Sequence, residues 1–486
     1  MKKIKLLAIF LIGLLTMNSC SDFGDINEDP NNPSKPETRF MFTYACKHIY
    51  HFAYNANYNP WTQLFPQYLS ERQNIQYSNY SITDFNTGPY YYEYIKNLET
   101  IIALNKDDAT RDQSNVTLLG SSANQIAAAR TLRAYYYMHL TDIMGMIPYS
   151  EALKGDSELF TPKYDTQEFI YEDLDKELTE SYAQFDESGT LDKVYDILYA
   201  GDIAKWKKLN ASLRMMMAIK LSDVAPEVGK ARFAKAYADG GMKDNEEMLQ
   251  YKFLMETANE NPLYDNIQVG KRKDFAPSKT ILDQLLAYND PRVEAYAVPN
   301  SKGDYAGVPF GILQSDVVKY TDQAFFHENY YQQNSPIVVI SPSHILLIEA
   351  EAAVRGWINA DAEELYKAGI KASFDQHALG DKLDAYCAQA DIAFTGSATQ
   401  KIDKIAMQRW LANYMQDGVE AWSDWRRLNV PALKPGPSAT VTHVPYRRVY
   451  YPDDYTTNLD NYKAAISAQG ADDFDTRVWW DVKDNN

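Results

Sequence analysis

Apolar side chains recur every three to four residues over long parts of the chain, the spacing of amphipathic helices. The clearest run covers residues 123–144, where Leu132, Tyr136 and Leu140 share one helical face and small alanines let a partner helix approach. Gly145 and Pro148 follow this run and end it. Similar spacing predicts further helices over residues 167–182, 204–223, 344–356, 360–374 and 400–422.

The segment 344–374 predicts a helix–turn–helix of about one tetratricopeptide length. No exact repeat continues along the chain, so the hairpins must be degenerate. We therefore predict a mainly α fold, in which tetratricopeptide-like helical hairpins stack on one another and long irregular insertions connect them. Trp206 and Trp422 fall in predicted helices, and we expect both side chains to lie in the core.

Residues 1–19 have the order of a lipoprotein signal peptide. Lysines at positions 2, 3 and 5 precede an apolar run over residues 6–15, which is too short to span a membrane. Cys20 directly follows the small Ser19, which makes Cys20 the predicted site of a covalent lipid such as palmitate. The alternative is an ordinary secreted protein in which Cys20 falls at this position by chance.

Residues 20–38 predict an acidic, flexible tether, because they are rich in Asp, Asn and Pro and nearly free of apolar residues. Asp25, Asn27 and Asp29 have the alternate spacing of calcium-loop ligands. However, Pro30 occupies the position where such a loop needs Gly, which favours a solvated linker. No second linker follows, so residues 39–486 are predicted to form a single α-helical binding domain.

Composition argues against nucleic-acid binding and against a transmembrane segment, and it leaves the pairing of two cysteines open. The formal net charge is −18 and no basic cluster offsets it, so we expect no nucleic-acid partner. No other run reaches about 18 consecutive apolar residues, so the lipid on Cys20 is the only expected membrane attachment. Cys46 and Cys387 either pair in an oxidising compartment or remain as two buried thiols.

Two insertions, residues 61–92 and 303–334, are rich in aromatic and amide side chains. Most of the 37 tyrosines must pack between helical hairpins. Aromatic rings that carry a hydroxyl or N–H group also suit partly hydrated surfaces. On loops such rings can stack on the C–H faces of sugars, while amide and guanidinium groups bond the hydroxyl edges. The predicted ligand-binding residues are Arg72, Asn74, Tyr77 and Tyr80 from the first insertion, and His327, Tyr330 and Tyr331 from the second.

The sequence lacks the common motifs of enzyme chemistry. It has no Gly-x-Ser-x-Gly, no phosphate-binding glycine loop and no His-Glu-x-x-His. Glu349 and Glu351 are two positions apart on a predicted helix and therefore point to different faces. We predict no enzymatic activity, although 66 acidic residues leave a glycoside hydrolase as a remote alternative.

No cofactor is predicted apart from the covalent lipid. Asp472, Asp473 and Asp475 could together hold a structural cation. A solvated acidic loop is the favoured interpretation of these three residues, and the cation stays an open alternative.

Several blocks, taken in order, resemble the SusD/RagB family of outer-membrane lipoproteins. Residues 142–153, DIMGMIPYSEAL, are similar to the family's LTDxxGxIPYSEA block. Further similar blocks follow at residues 162–174, 199–214, 290–292, 349–357, 420–427, 445–452 and 479–481. The resemblance covers essentially the whole chain after the signal peptide and is strongest to the SusD-like type 2 branch.

This resemblance implies four tetratricopeptide-like hairpins packed against an irregular ligand-binding half. It also implies a lipid-anchored outer-membrane protein, facing the extracellular side, that caps a TonB-dependent porter of the SusC/RagA type. Members bind oligosaccharides, or in some branches peptides or other polymers, and deliver them without chemistry. The quoted blocks look structural, and the ligand-binding residues vary between members. No ligand-binding residue of the family is therefore assigned to a position of this chain.

The expected function is therefore capture of oligosaccharides and their delivery to a SusC-like porter. Capture of peptides or another polymer by the same architecture is the first alternative. The periplasmic face is the alternative location.

Overall fold

The computed structural model describes residues 35–54 and 60–482, and its framework is α-helical, as predicted. The longer helices are α1 Thr38–Lys47, α2 Lys96–Lys106, α3 Ser122–Met144, α4 Gln167–Gln184, α5 Ile203–Lys220, α6 Pro226–Asp239, α7 Lys279–Ala287, α8 Pro342–Val354, α9 Ala362–Gln376, α10 Ala398–Ala412, α11 Gly418–Leu428 and α12 Leu459–Gln469. Short helical turns cover Ile49–Phe52, Trp61–Leu64, Tyr90–Ile95, Ser114–Thr117, Gly155–Ser157, Asn245–Glu247, Thr257–Asn259, Pro262–Tyr264, Asp265–Val269, Arg292–Tyr296, Gln314–Tyr320, Glu328–Tyr330, Gly380–Lys382, Leu383–Cys387 and Pro452–Tyr455.

Helix ends follow local sequence signals. The Thr166 hydroxyl accepts a hydrogen bond from the backbone N–H of Phe169 at the start of α4, and Asp202 does the same for Lys205 at the start of α5. Helix α3 ends at Met144, and the next residue, Gly145, has a φ of +80°, which favours glycine. These signals explain why the predicted limits of these helices lie within a few residues of the observed ones.

Helices that follow one another in the chain pack as pairs. Helix α3 packs on α4, α5 on α6, and α8 on α9, while α4 contacts α5 and α8 contacts α10 to stack one pair on the next. The predicted hairpin at residues 344–374 corresponds to α8 and α9. The stacked-hairpin prediction is therefore confirmed.

The predicted helix over residues 400–422 is wrong, because the chain forms two helices there. Met415, between α10 and α11, has a left-handed backbone with a φ of +57°. The side chain of Gln63 accepts a hydrogen bond from the N–H of Met415 at 3.1 Å and donates to the Gln416 carbonyl at 2.7 Å. Asp417 then caps α11 by accepting from the N–H of Glu420 at 3.0 Å. A distant side chain thus satisfies the backbone groups that the break releases.

Short strands connect segments that are distant in sequence. The antiparallel pairs are β1 Leu69–Glu71 with β6 Phe275–Pro277, β3 Ile147–Pro148 with β4 Tyr164–Asp165, β5 Leu249–Tyr251 with β9 Ile337–Ile340, and β7 Ala297–Val298 with β8 Phe325–Phe326. Strands β2 Asp84–Phe85 and β10 Val449–Tyr450 pair in parallel. Two of these pairs, β1–β6 and β7–β8, anchor the predicted ligand-binding insertions to the helical body.

The side chains of Trp206 and Trp422 are both fully buried, as expected. The indole N–H of Trp206 donates to the Asp196 carboxylate at 2.8 Å, and that of Trp422 donates to the Pro445 carbonyl at 2.8 Å. Each indole therefore buries its ring without leaving its N–H unpaired.

Asp142, in the most distinctive sequence block, has a structural role. Its carboxylate accepts hydrogen bonds from the Tyr171 hydroxyl, the Trp480 indole N–H at 2.8 Å, and the Lys220 ammonium at 2.6 Å. Lys220 also pairs with Glu420 of α11. The block thus ties α3, α4, α5 and α11 together inside the helical body.

Cys46 is a buried free thiol and Cys387 is a half-buried free thiol, so the structure does not contain the disulfide that the sequence left open. Within the described ranges, no helix has the length and apolar character needed to cross a bilayer. The predicted signal peptide, Cys20 and most of the predicted tether lie outside the described residues, and the predicted domain limits stay predictions.

Candidate functional site

Two loops from distant parts of the chain meet on one surface, which we call the loop face. It is formed by accessible side chains from two loops, residues 72–80, after β1, and residues 299–331, around β8. The guanidinium of Arg72 donates to the carbonyl of Thr321 at 2.8 Å, across 249 positions of sequence. Below this contact, Ile75 packs with Val308 and Ile312 in a small buried cluster. The structure thus brings the two predicted insertions together.

The first loop is shaped by the buried carboxylate of Glu71. Its Oε2 accepts from the backbone N–H of Tyr77 at 3.1 Å, and from the N–H and hydroxyl of Ser78, both at 2.7 Å. Burial raises the pKa of Glu71 to about 7, although these hydrogen bonds oppose the shift. The same contacts leave Tyr77 half-buried at the surface.

Three of the four predicted residues in this loop are accessible. Arg72 and Tyr77 are half-buried, and Asn74 is exposed. Tyr80 is fully buried, so the expectation that its ring is presented to a ligand is wrong. A left-handed backbone, with a φ of +62°, turns the Tyr80 ring inward, where its centroid lies 5.4 Å from that of Phe65.

The three predicted ligand-binding residues of the second loop lie in two different places. Tyr331 is half-buried beside Phe325, with ring centroids 6.2 Å apart. The Nδ1 of His327 accepts from the N–H of Asn329 at 3.3 Å and caps the turn Glu328–Tyr330, so this ring nitrogen is already engaged. Tyr330 packs edge-on against Tyr414, with centroids 5.7 Å apart, and lines a separate cavity instead of the loop face.

Two further aromatic side chains belong to the loop face. Tyr320 and Phe325 are both half-buried against the cluster around Ile75, and the Lys273 ammonium lies 5.5 Å from the centroid of the Phe325 ring. Phe325 alternates with the buried Phe326 on β8, so the two-residue period of a strand could have identified it from sequence. Tyr320 ends a short helical turn and carries no comparable sequence signal.

The loop face thus combines aromatic rings with hydrogen-bonding groups. Asn74 and Arg72 supply amide and guanidinium donors next to the rings. Among the described residues, no three His, Cys, Asp or Glu side chains are grouped so that they could hold a metal ion.

The acidic loop near the C-terminus has protein partners for each carboxylate. Asp472 pairs with Arg447 at 2.9 Å, and Asp475 accepts from His443 at 2.8 Å. Asp473 accepts from the backbone N–H groups of Asp475 and Thr476. These contacts describe a loop held by internal hydrogen bonds and ion pairs.

Solved structures with a similar overall fold define the class of protein. One, described as a chitin-binding protein, is 27% identical, with a TM-score of 0.78, over 92% of this chain and 100% of that one. A chitin-binding SusD homolog from Flavobacterium johnsoniae is 23% identical, with a TM-score of 0.78, over 92% and 99%. A SusD homolog from Bacteroides fragilis NCTC 9343 is 22% identical, with a TM-score of 0.77, over 93% and 100%. The fold is therefore SusD-like.

The family follows from a match over residues 30–452 to the SusD-like type 2 family, which is described as "Starch-binding associating with outer membrane". The chain belongs to this family, as its sequence blocks indicated. A comparison with curated proteins gave no significant match. The family's description is one of binding, in agreement with the expectation of a protein that binds without performing chemistry.

Proposed function

We propose that the protein captures neutral oligosaccharides and delivers them to a TonB-dependent outer-membrane porter of the SusC/RagA type. The observation that carries this proposal is the match over residues 30–452 to a starch-binding family that associates with the outer membrane. The relative described as chitin-binding, at 27% identity, supports a glycan over a peptide as the cargo.

The loop face is the proposed ligand site. Tyr77, Tyr320 and Phe325 supply rings for stacking on sugar C–H faces. Arg72 and Asn74 supply donors for sugar hydroxyls, and the Arg72 guanidinium keeps further N–H groups beyond its bond to Thr321. The net charge of −18 disfavours anionic glycans, which leaves neutral ones as the better fit.

Attachment to the outer membrane is proposed to run through a lipid on Cys20, with the acidic segment between Cys20 and the start of α1 as the tether. A tether of this composition would let the body move over the mouth of a porter while staying at the membrane. The extracellular side is the proposed location, because polysaccharides that are too large to enter the periplasm are found on that side.

Affinity gel electrophoresis tests the proposal directly. Glycol chitin or soluble starch in the gel should retard the protein, while Arg72→Ala and Tyr77→Ala should migrate faster than the unaltered chain. Phe160→Ala removes a ring that is 74% exposed outside the loop face, and it should behave like the unaltered chain. A reducing-end assay run in parallel should detect no release of sugar.

Two results would contradict the proposal. If neither polysaccharide retards the protein and peptides bind it, the ligand is a peptide and the family assignment still holds. Release of reducing ends would indicate a hydrolase.

A further inference from the structure

A small pocket lies outside the loop face, where the helical turns Tyr90–Ile95 and Pro452–Tyr455 meet the β3–β4 pair. Its volume is about 150 Å³. A cavity of about this volume can hold one benzene molecule, so the pocket has room for one compact chemical group. The N–H and hydroxyl of Thr87 donate to the Asp454 carboxylate at 3.2 and 2.8 Å, across 367 positions of sequence. The fold therefore holds the walls of the pocket together.

Five aromatic side chains line this pocket: Tyr91, Tyr92, Phe160, Tyr164 and Tyr450. The hydroxyl of Tyr91 donates to the Pro148 carbonyl at 2.6 Å. The hydroxyl of Tyr450 donates to the carbonyl of Met146. Because both hydroxyls are engaged, these two buried side chains offer the pocket carbon surface.

Two of the lining rings are accessible to a ligand from solvent. Tyr92 is 76% exposed and Phe160 is 74% exposed. Exposed apolar side chains that are grouped together, rather than scattered singly, are typical of binding sites. The accessible rings therefore indicate that this pocket takes a ligand with carbon surface of its own.

Two carboxylates, those of Asp453 and Asp454, line the same pocket. No Lys, Arg or His among the described residues forms an ion pair with either of them. Burial, opposed by the hydrogen bonds from Thr87 and increased by the charge of Asp453, raises the pKa of Asp454. A cation in the pocket would thus be attracted by two carboxylates whose charge no ion pair compensates.

The one guanidinium close to a lining ring within the described ranges is already compensated. The Arg447 guanidinium lies 4.8 Å from the centroid of the Tyr450 ring and pairs with Asp472 at 2.9 Å. It therefore leaves the charges of Asp453 and Asp454 without a balancing cation.

Aromatic rings and carboxylates together define the chemistry of the ligand. The face of an aromatic ring is negative and attracts a cation within about 6 Å, and quaternary ammonium ions are bound by groups of such rings. The methyl groups of such an ion also contact carbon surface. An anion would be repelled by both carboxylates and by the net charge of −18. A neutral group would gain nothing from the carboxylates.

We propose that this pocket is a binding site for a small quaternary ammonium ion with the chemistry of choline. Tyr92 and Phe160 contact its methyl groups, and Asp453 and Asp454 balance its charge. The site is independent of oligosaccharide capture at the loop face.

An NMR titration of the full chain with choline, at constant ionic strength, tests this site. Choline should bind with a dissociation constant of about 1–10 mM, as expected for so small a ligand. Its neutral isostere 3,3-dimethyl-1-butanol has the same shape without the charge and should bind at least about fivefold more weakly. Phosphocholine represents a lipid headgroup and should also bind more weakly, because its phosphate brings negative charge to the two carboxylates.

Two variants at accessible positions test the lining without endangering the fold. Phe160→Ala removes an exposed ring and should weaken choline binding about two- to fivefold. Asp453→Asn removes one charge at an exposed position and should weaken it about three- to tenfold. Asp381→Asn, the matched control, removes the same charge outside the lining from a side chain that is 70% exposed. It should bind choline like the unaltered chain.

Tyr77→Ala separates failure of this site from failure of the proposed function. It alters the loop face alone, so it should retain choline binding even where it weakens oligosaccharide binding. Phe160→Ala should show the opposite behaviour.

Four outcomes would overturn the ammonium site. The first is an absence of choline binding at tens of millimolar. The second is binding of the neutral isostere or of phosphocholine as tight as that of choline. The third is unchanged choline affinity in both Phe160→Ala and Asp453→Asn. Loss of choline binding in Tyr77→Ala would place the ion at the loop face instead.

Discussion

Two buried glutamates on α8 differ in their hydrogen-bond partners and in the direction in which their pKa values are shifted. Glu351 is fully buried, and although burial raises its pKa, Arg427, Arg355 and Arg409 hold that pKa well below its usual range. Glu349 is equally buried, but neither of its carboxylate oxygens has a hydrogen-bond partner in the described structure. Burial raises the pKa of Glu349 to about 7, with Lys243 opposing the shift only partly.

Glu349→Gln is therefore expected to make the protein less sensitive to alkaline pH. The unfolded chain releases the Glu349 proton near pH 4.5 and the folded chain near pH 7, so the free energy of unfolding falls as pH rises through this window. Gln cannot ionise, so the free energy of unfolding of the variant does not fall in this way. Relative to the unaltered chain, it should therefore rise by about 2–4 kcal/mol between pH 4.5 and pH 8. Urea unfolding at both pH values measures this difference, and a difference that does not change with pH would contradict it.

Trp206 gives a second residue-scale prediction. Its indole is fully buried and its N–H donates to Asp196, so Trp206→Ala leaves a cavity and removes one hydrogen bond from the Asp196 carboxylate, which keeps its bonds from backbone N–H groups. We expect a loss of about 3–5 kcal/mol in the free energy of unfolding, measured by urea titration. Phe160→Ala, at an exposed ring, should change it by less than about 0.5 kcal/mol. Equal stabilities of the two variants would show that the Trp206 ring is not part of the core.

At the scale of elements, the break between α10 and α11 is the feature that sequence patterns missed. Residues 413–417 contain neither Gly nor Pro, so the apolar pattern continues across them. The break depends on Gln63, which binds the backbone at Met415 and Gln416 from a distant segment. Helices α3, α4 and α5 were predictable because their caps and stops, such as Thr166 and Gly145, are local.

Gly418→Ala tests the packing of this break. A Cβ at position 418 would lie 1.9 Å from the carbonyl oxygen of Thr62, so the start of α11 or the turn Trp61–Leu64 must shift. We expect a loss of about 1–3 kcal/mol, measured as a lower urea midpoint. Gly155→Ala is the matched control, because its Cβ would meet only the Phe160 ring at 3.7 Å. A Gly418→Ala midpoint as high as that of the control would contradict the observed contact.

At the scale of the whole molecule, the sequence predicted the stacked hairpins and the two insertions that meet at the loop face. It did not predict the direction of individual rings. Tyr80 and Tyr330 have the same loop composition around them as Tyr77 and Tyr331, yet the first is buried and the second lines a cavity. Backbone conformation at Tyr80 and packing against Tyr414 decide these directions, and neither is encoded locally.

Membrane attachment gives a prediction for the intact protein. Because Cys20 follows a signal-like segment, Cys20→Ala should abolish labelling by a palmitate analogue and release the protein from membranes into the soluble fraction. Cys46→Ala is the control, since this thiol is buried in the folded body, and it should still be labelled. Labelling of Cys20→Ala at the level of the unaltered chain would contradict the anchor.

The central claim is that the loop face binds oligosaccharides, and calorimetry with chito- and malto-oligosaccharides tests it most directly. Tyr77→Ala and Arg72→Ala should each weaken binding by about 1–2 kcal/mol, or roughly five- to thirtyfold, with nearly unchanged melting. Phe160→Ala should bind like the unaltered chain. Full affinity in both loop-face variants, with binding of the unaltered chain intact, would contradict the claim that ligand is held between the two loops.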